Sequence, residues 1–302
     1  MTSAGKRTVT YGRHSVLQTI SITSLESRKD AYWVIYIHGG AWRDPTVTSE
    51  SFDKAEAILR ASNLPISGFA SISYRLSPHP RFPQNPPTTS PYESRNAKHP
   101  DHIRDVEAAL AFLQNTYGFG PREMAHNPDA EGGTGVEAVS TTPEPLPPRL
   151  RAKPTAIVGV AGIYDLRRLV DTHRSIPAYR EFVEGAFGPD DMVWDAVSPA
   201  QMIGSRGVEG GWKTGRLVVL AQSPDDELVD MGQREAMQDA LKGWEQTEAQ
   251  VPPEELTHKD RRVRILDISG AHDDAWINGD EIACSVQFAF KELQEMGLAP
   301  EA

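Results

Sequence analysis

The stretch AYWVIYIHGGAW, residues 31–42, decides the fold of this chain. It begins as an almost continuous run of apolar and aromatic residues, which is typical of a parallel β-strand buried on both faces. The run ends on His38-Gly39-Gly40, and two adjacent glycines allow a tight turn or a close approach of the backbone to a ligand. The stretch therefore predicts a buried strand that delivers an irregular turn to one edge of a sheet.

Four more apolar runs of the same kind follow along the chain, at 66–74, 155–163, 216–223 and 262–269. Segments with the helical spacing of apolar residues lie at 52–63, 101–117, 226–244 and 280–296. Strands that alternate with helices build a parallel sheet covered by helices on both faces. The sequence therefore predicts an α/β fold with a doubly wound, mostly parallel sheet.

The length of 302 residues fits a single domain over residues 1–302. Residues 8–25 are expected to supply a preceding hairpin or edge strand, and the Pro-rich residues 81–102 predict a long surface loop. Residues 171–203 carry several aromatic side chains and are longer than an ordinary connection between two strands. We therefore predict that this insertion forms a cap over a site.

The composition favours a small-molecule substrate over a nucleic-acid or membrane partner. The formal net charge is -11, and no cluster of Lys and Arg is interleaved with aromatic residues. No apolar run approaches the roughly 18 residues that span a bilayer, and the N-terminal residues lack the apolar core of a secretory signal. We expect a soluble, cytoplasmic protein. The single cysteine, Cys284, excludes an internal disulfide and is predicted to be buried on a helix face.

Three turns that follow predicted strands carry the candidate chemistry, because ligands of open parallel sheets bind outside the carboxyl ends of the strands. The first turn is His38-Gly39-Gly40-Ala41-Trp42, whose N–H groups can point at a developing oxyanion. Taken alone, the same glycines also fit a purely structural tight turn. Trp42 is expected either in the core or in the wall of a pocket.

The second and third turns place an acidic residue and a histidine after successive strands. Asp226 follows the strand at 216–223, where it can either cap a helix that begins near Leu228 or orient a histidine. His272 follows the strand at 262–269, where a lone histidine is usually only solvated. The order of oxyanion turn, acid and base favours a catalytic interpretation, with His272 as general base and Asp226 as the group that holds its tautomer.

Five motifs together resemble the α/β-hydrolase superfamily and, within it, the fungal kynurenine formamidase family: HGGAWRDP (38–45), SISYRLSP (71–78), VGVAGIYDL (158–166), SPDDELVD (223–230) and GAHDD (270–274). The resemblance implies the α/β-hydrolase fold and the hydrolysis of N-formyl-L-kynurenine to L-kynurenine and formate, a step of tryptophan degradation that feeds NAD synthesis. It also implies that Asp226 is the triad acid, that His272 is the base and that residues 38–42 form the oxyanion motif. A homodimer without a cofactor or metal is implied as well.

The nucleophile that the family resemblance implies, a serine in a GxSxG turn, is absent from the sequence. Such a turn is expected between Gly120 and Thr155, but residues 119–153 predict an irregular loop in place of a central strand. Ser140 is the one serine in this gap and has neither a strand before it nor a helix after it. The nucleophile is therefore unknown. One hypothesis is a misplaced exon boundary in the gene model, which sequencing of the transcript would test.

Two alternatives remain beside a formamidase. A general carboxylesterase would use the same turns on a different acyl substrate, and a catalytically inactive hydrolase-fold protein would retain at most a binding role. No cluster of His, Cys and carboxylate residues has the spacing of a metal site, and His99 and His102 are predicted to be solvated.

Overall fold

A computed structural model describes residues 5–25, 31–117, 154–250 and 259–300. It contains seven strands in these ranges: β1 (Arg7–Thr10), β2 (Thr19–Ser24), β3 (Tyr32–Ile37), β4 (Ile66–Ile72), β5 (Ala156–Val160), β6 (Leu217–Gln222) and β7 (Arg262–Asp267). The five apolar runs of the sequence each form a strand, and residues 8–25 form the predicted hairpin, so these predictions are confirmed.

The α-helices of the described residues lie between and after the strands: α1 (Asp53–Ala61), α2 (Asp101–Tyr117), α3 (Leu166–Thr172), α4 (Pro177–Phe187), α5 (Asp191–Val197), α6 (Val208–Gly211), α7 (Met231–Glu245), α8 (Asp274–Ile277) and α9 (Asp280–Glu295). Four of them, α3 to α6, belong to the connection between β5 and β6, and α4 and α5 lie within residues 171–203, the insertion that the sequence predicts.

The described strands form two sheets. The first has the order β1-β2-β4-β3, in which β1, β2 and β4 pair antiparallel and β3 pairs parallel with β4. The second has the order β5-β6-β7 and is parallel throughout. The strands that follow the hairpin therefore pair with one another in parallel, as the continuous apolar runs predict, and the one antiparallel pairing of β4 is with β2 of the hairpin.

Strands β3 and β5 are edges of their sheets in the described part of the chain. Every residue of β6 is buried, whereas β5 is half-exposed and Ile157 on it is 45% exposed. Strand β3 is likewise half-exposed next to the buried β4. Residues 119–153, where the sequence predicts an irregular loop in place of a central strand, lie outside the described residues, and Ser140 is among them.

One hydrophobic core extends under both sheets. Helix α9 contributes Ile282, Phe290 and Leu293, which pack in the same cluster as Phe69 of β4 and Val219 of β6. Helix α1 lies beside α9 and joins this cluster. The apolar residues of α9 recur at helical spacing, so one face of the helix is buried along its length.

The opposite faces of the two sheets are covered by different helices. Ala109 and Leu113 of α2 pack on β2 and β4 of the first sheet. Leu241 and Trp244 of α7 pack on the second sheet, where the Trp244 ring stacks on Trp212 with centroids 5.1 Å apart. Helices on both faces agree with the predicted doubly wound architecture.

A buried ion pair fixes the backbone just after β4. The Asp105 carboxylate of α2 accepts hydrogen bonds from Nη2 of Arg75 at 2.8 Å and from the backbone N–H of Arg75 at 2.9 Å. It also accepts one from Nε2 of Gln18, in the loop between β1 and β2, at 2.8 Å. The pair therefore joins three parts of the chain at the carboxyl end of the first sheet.

Three sequence predictions are wrong in detail. Cys284 is exposed, because the buried face of α9 is formed by neighbours such as Ile282 and Ser285, and Cys284 points away from it. Helix α7 begins at Met231, where the side chain of Asp230 caps it, so no helix begins near Leu228. His102 is buried and not solvated, because it lies on the face of α2 that meets the loop after β4.

No helix among the described residues has the length and apolar character needed to cross a bilayer. In the same ranges, no group of three or more His, Cys, Asp and Glu side chains is arranged to hold a metal ion.

Candidate active site

Asp226 and His272 form a hydrogen-bonded pair at the carboxyl ends of neighbouring strands. Asp226 lies in the turn after β6 and His272 in the turn after β7, which pair in parallel. The Nδ1 atom of His272 is 2.9 Å from Oδ2 and 3.1 Å from Oδ1 of Asp226. Because a carboxylate only accepts hydrogen bonds, Nδ1 carries the proton and Nε2 is left as the basic nitrogen.

The turn around Asp226 holds its carboxylate in place. Oδ1 accepts hydrogen bonds from the backbone N–H groups of Leu228 at 2.9 Å and Val229 at 2.8 Å. Oδ2 accepts one from Nε2 of Gln222 at 3.2 Å. The side chain is only 1% exposed, so its orientation is set by these donors and by His272. Of the two roles that the sequence left open for Asp226, helix capping is therefore not observed, and the hydrogen bond with the histidine is.

The contact between the two side chains lowers the pKa of Asp226 and raises the pKa of His272 from their ordinary values. Burial would raise the pKa of Asp226, but its hydrogen bonds with His272 and the N–H groups of Val229 and Leu228 outweigh burial, so the pKa is lowered. Burial would also lower the pKa of His272, but the hydrogen bond and the charge of Asp226 outweigh it, so the pKa is raised. The pair therefore favours an ionised Asp226 and a more basic His272.

The titration of His272 is a direct test of this pairing. We expect its pKa to lie above that of an ordinary histidine and to fall below it in Asp226→Asn, because burial is then no longer offset by the carboxylate. A raised pKa in the folded state means that the stability contributed by the charge of His272 is fully present below the pKa of an unfolded histidine, while Asp226 is ionised, and is lost as the pH rises through the raised pKa. An NMR titration of the imidazole, assigned with His272→Ala, measures both values. An unchanged pKa in Asp226→Asn would contradict the pairing.

Backbone contacts also fix the turn that carries His272. The N–H of His272 donates to Oε2 of Glu227 at 3.1 Å, and the N–H of Ala271 donates to Oδ2 of Asp274 at 2.8 Å. Gly270 has a φ of 89°, in the left-handed region that favours glycine. The sequence indicated the position of His272 but not the role of Glu227, because an acidic residue in a turn has no distinctive pattern.

The turn after β3 has an unusual backbone. Gly40, Ala41 and Trp42 have φ values of 88°, 47° and 60°. Left-handed conformations are uncommon for residues other than glycine and are found mainly where surrounding structure enforces them, often at functional sites. In the described part of the chain, the N–H groups of Gly39, Gly40 and Ala41 donate to no other residue. They are therefore available to a ligand oxygen, as an oxyanion site requires.

His38 supports this turn and is not placed as a second base. Burial lowers the pKa of His38 to about 4, so the ring is neutral at physiological pH. Its Nδ1 donates to the carbonyl of Gly39 at 2.9 Å, and the ring stacks on Tyr74 with centroids 4.4 Å apart. The hydroxyl of Tyr74 in turn donates to the carbonyl of His38 at 2.9 Å. His38 and Tyr74 therefore brace the backbone of the turn.

Helix α4 of the insertion contacts both the turn at 38–42 and the turn of Asp226. Trp42 packs edge-on against Phe187 with ring centroids 4.8 Å apart and lies 6.4 Å from Phe182. On the same helix, the hydroxyl of Tyr179 donates to the carbonyl of Leu228 at 2.7 Å. Among the described residues, no hydrogen bond or ring contact joins residues 38–42 directly to Asp226 or His272, whereas α4 contacts both turns.

The described residues do not supply a nucleophile to this pair. In those ranges, no hydroxyl or thiol group hydrogen-bonds with Nε2 of His272. The stretch in which a serine turn is expected, between Gly120 and Thr155, lies outside the described residues up to 153. The structure thus brings together the predicted acid and base, and the predicted oxyanion turn lies next to the same insertion.

No family model matches the chain. The kynurenine formamidase-like hydrolase fscH of Fusarium equiseti is 36% identical over 273 residues, which cover 89% of this chain and 86% of that protein. The kynurenine formamidase avaC of Aspergillus versicolor is 34% identical over 273 residues, which cover 84% of this chain and 87% of that protein. The solved structure of esterase Est2 from Thermogutta terrifontis superposes with a TM-score of 0.55 at 16% identity, over 100% of this chain and 98% of that one.

Proposed function

Since the chain belongs to the kynurenine formamidase family and has the α/β-hydrolase fold, we propose that it hydrolyses N-formyl-L-kynurenine to L-kynurenine and formate. The observation that carries the proposal is the hydrogen bond of 2.9 Å between the imidazole of His272 and the carboxylate of Asp226. This geometry leaves one imidazole nitrogen free to move a proton, which is what acyl transfer from an amide requires.

In the proposed reaction, a serine hydroxyl attacks the formyl carbonyl carbon while Nε2 of His272 takes the hydroxyl proton. Asp226 remains ionised and stabilises the imidazolium that forms, in keeping with its lowered pKa. The attacking hydroxyl is not assigned to a residue. Because the pair stabilises positive charge on His272, its contribution is largest in the transition state, where that charge develops.

The carbonyl oxygen becomes an oxyanion during this attack. The N–H groups of Gly39, Gly40 and Ala41 are the proposed donors, because they donate to no other described residue and because Gly40 and Ala41 have left-handed backbone conformations. His272 then protonates the aniline nitrogen, so that the C–N bond breaks and L-kynurenine leaves. Water attacks the formyl ester with His272 again as base, and formate is released.

The aromatic wall beside the oxyanion turn supports an aryl substrate. Trp42, Phe182 and Phe187 lie together where the turn meets α4. Ring faces and edges of this kind bind aryl groups in offset or edge-on arrangements. We propose that the anthraniloyl ring of the substrate packs here while its formyl group reaches the oxyanion turn.

A comparison of acyl substrates tests the proposed function. We expect kcat/KM for N-formyl-L-kynurenine to exceed that for p-nitrophenyl acetate, followed by the absorbance of the two products. Faster hydrolysis of the ester would instead identify a general carboxylesterase. Absence of turnover of either substrate by folded protein would identify a catalytically inactive hydrolase-fold protein.

Two broader proposals follow from the same assignment. The reaction would place the chain in tryptophan degradation, upstream of NAD synthesis. A homodimer is the arrangement that the family resemblance implies, and the mass in solution, measured by light scattering, tests it.

A further inference from the structure

Arg43 and Glu181 form an ion pair next to the aromatic side chains that line the proposed aryl site. Arg43 directly follows Trp42 in the chain, and its Nη1 lies 2.8 Å from Oε1 of Glu181 on α4. The guanidinium carbon of Arg43 is 5.5 Å from the ring centroid of Phe182, the residue next to Glu181. A cation and an anion are therefore held side by side above the ring that is proposed to contact the substrate.

The two side chains differ in exposure. The side chain of Arg43 is 12% exposed, whereas that of Glu181 is 54% exposed. An exposed ion pair typically contributes only about 0–1 kcal/mol to stability. The ion pair alone therefore does not explain why the side chain of Arg43 is buried. Stacking on Phe182 and the bond with Glu181 instead hold the guanidinium in one orientation.

The arginine retains donors for a ligand. A guanidinium has five N–H donors, and in the described part of the chain only Glu181 hydrogen-bonds with that of Arg43. The remaining N–H groups match the planar geometry of a carboxylate. Glu181 has a second oxygen and an exposed side chain, so it can accept from an ammonium group at the same time.

We propose that Arg43 and Glu181 form a subsite for the head group of an α-amino acid, with the carboxylate on Arg43 and the ammonium on Glu181. An α-amino acid carries both charges on one carbon, so its complement is one cation and one anion a few ångströms apart, as in this pair. This inference rests on the proposed function, because N-formyl-L-kynurenine combines such a head group with an aryl ring. The subsite distinguishes it from simple aryl formamides.

Binding of two related ligands tests the subsite without requiring turnover. L-kynurenine carries the amino acid head group, and 2′-aminoacetophenone has the same aryl ketone without it. By isothermal titration calorimetry we expect the wild type to bind L-kynurenine more tightly than 2′-aminoacetophenone. We expect Arg43→Gln to weaken L-kynurenine binding by about 10- to 100-fold, the value of one or two hydrogen bonds to a charged group, and to leave 2′-aminoacetophenone unchanged.

Two further variants separate the subsite from a change in folding. Glu181→Gln alters an exposed side chain and should also weaken L-kynurenine binding selectively. Arg180→Gln is the matched control, because Arg180 is on the same helix but pairs with Glu184 instead. If Arg43→Gln and the wild type melt at different temperatures, the comparison of Glu181→Gln with the wild type decides the test.

Equal affinity of the wild type for the two ligands, or unchanged selectivity in both Arg43→Gln and Glu181→Gln, would overturn the subsite while leaving the proposed function in place. Failure of the wild type to bind either ligand would overturn the aryl substrate assignment and the subsite with it.

Discussion

Replacing His272 with alanine should lower kcat/KM for N-formyl-L-kynurenine by at least about 10³-fold, because a positioned general base contributes about 10² to 10⁴ and the same imidazole also protonates the leaving aniline. The Nδ1 atom of this imidazole is held by Asp226 at 2.9 Å, which leaves Nε2 as the basic nitrogen. No second histidine shares this arrangement with Asp226 among the described residues. The measurement is the initial rate of L-kynurenine formation.

Asp226→Asn should cause a smaller but still large loss, because an amide neither stabilises the imidazolium nor fixes the tautomer of His272. His14→Ala is the matched control: His14 is exposed in the loop between β1 and β2 and has no place in the proposed site. Its activity should equal that of the wild type. Full activity of His272→Ala would show that the Asp226–His272 pair is structural and would reject the proposed mechanism.

The second large effect is expected on stability, at Asp105. Its side chain is 2% exposed and accepts hydrogen bonds from Arg75 and Gln18. Asp105→Ala should lower the free energy of unfolding by about 3–5 kcal/mol, because the Gln18 amide and the N–H of Arg75 lose their buried acceptor and the guanidinium keeps only Asp101, at 3.5 Å. This corresponds to a fall in Tm of roughly 5–10 °C for a chain of this size.

The control for Asp105 is Asp239→Asn, since Asp239 pairs with Lys242 on the exposed face of α7. That variant should change the free energy of unfolding by less than about 0.5 kcal/mol. The double variant Arg75→Met with Asp105→Leu should be less destabilised than Asp105→Ala, because it removes both charges together. Urea denaturation measures all three, and a loss below about 1 kcal/mol for Asp105→Ala would contradict a buried ion pair.

The sequence predicted the strands well because their signal is local. Each apolar run contains enough β-branched and aromatic residues to exclude a loop, and the structure places β6 within 216–223 and β7 within 262–269. The start of α7 was less predictable, because both Asp226 and Asp230 are good capping residues and only the tertiary contact with His272 assigns Asp226 to another role.

Site residues that belong to a sequence motif could be predicted, whereas residues that reach the site only through packing of distant segments could not. The positions of Asp226 and His272 after successive strands indicated a pair, and the structure brings them within hydrogen-bond distance. Tyr179 and Arg43 had no such signal. Their roles depend on α4 lying against both turns, which is a property of the packed insertion and not of any local pattern.

The packing of helix α9 against both sheets affects how the protein unfolds. Its apolar face packs in one cluster with β4 of the first sheet and β6 of the second, so separation of either sheet exposes that face to water. Exposure costs about 25 cal/mol for each Å² of apolar surface, which penalises any state in which one sheet is folded and the other is not. The two sheets should therefore behave as one cooperative unit, and the slowest amide protons of β4 and β6 should exchange with the same free energy of opening.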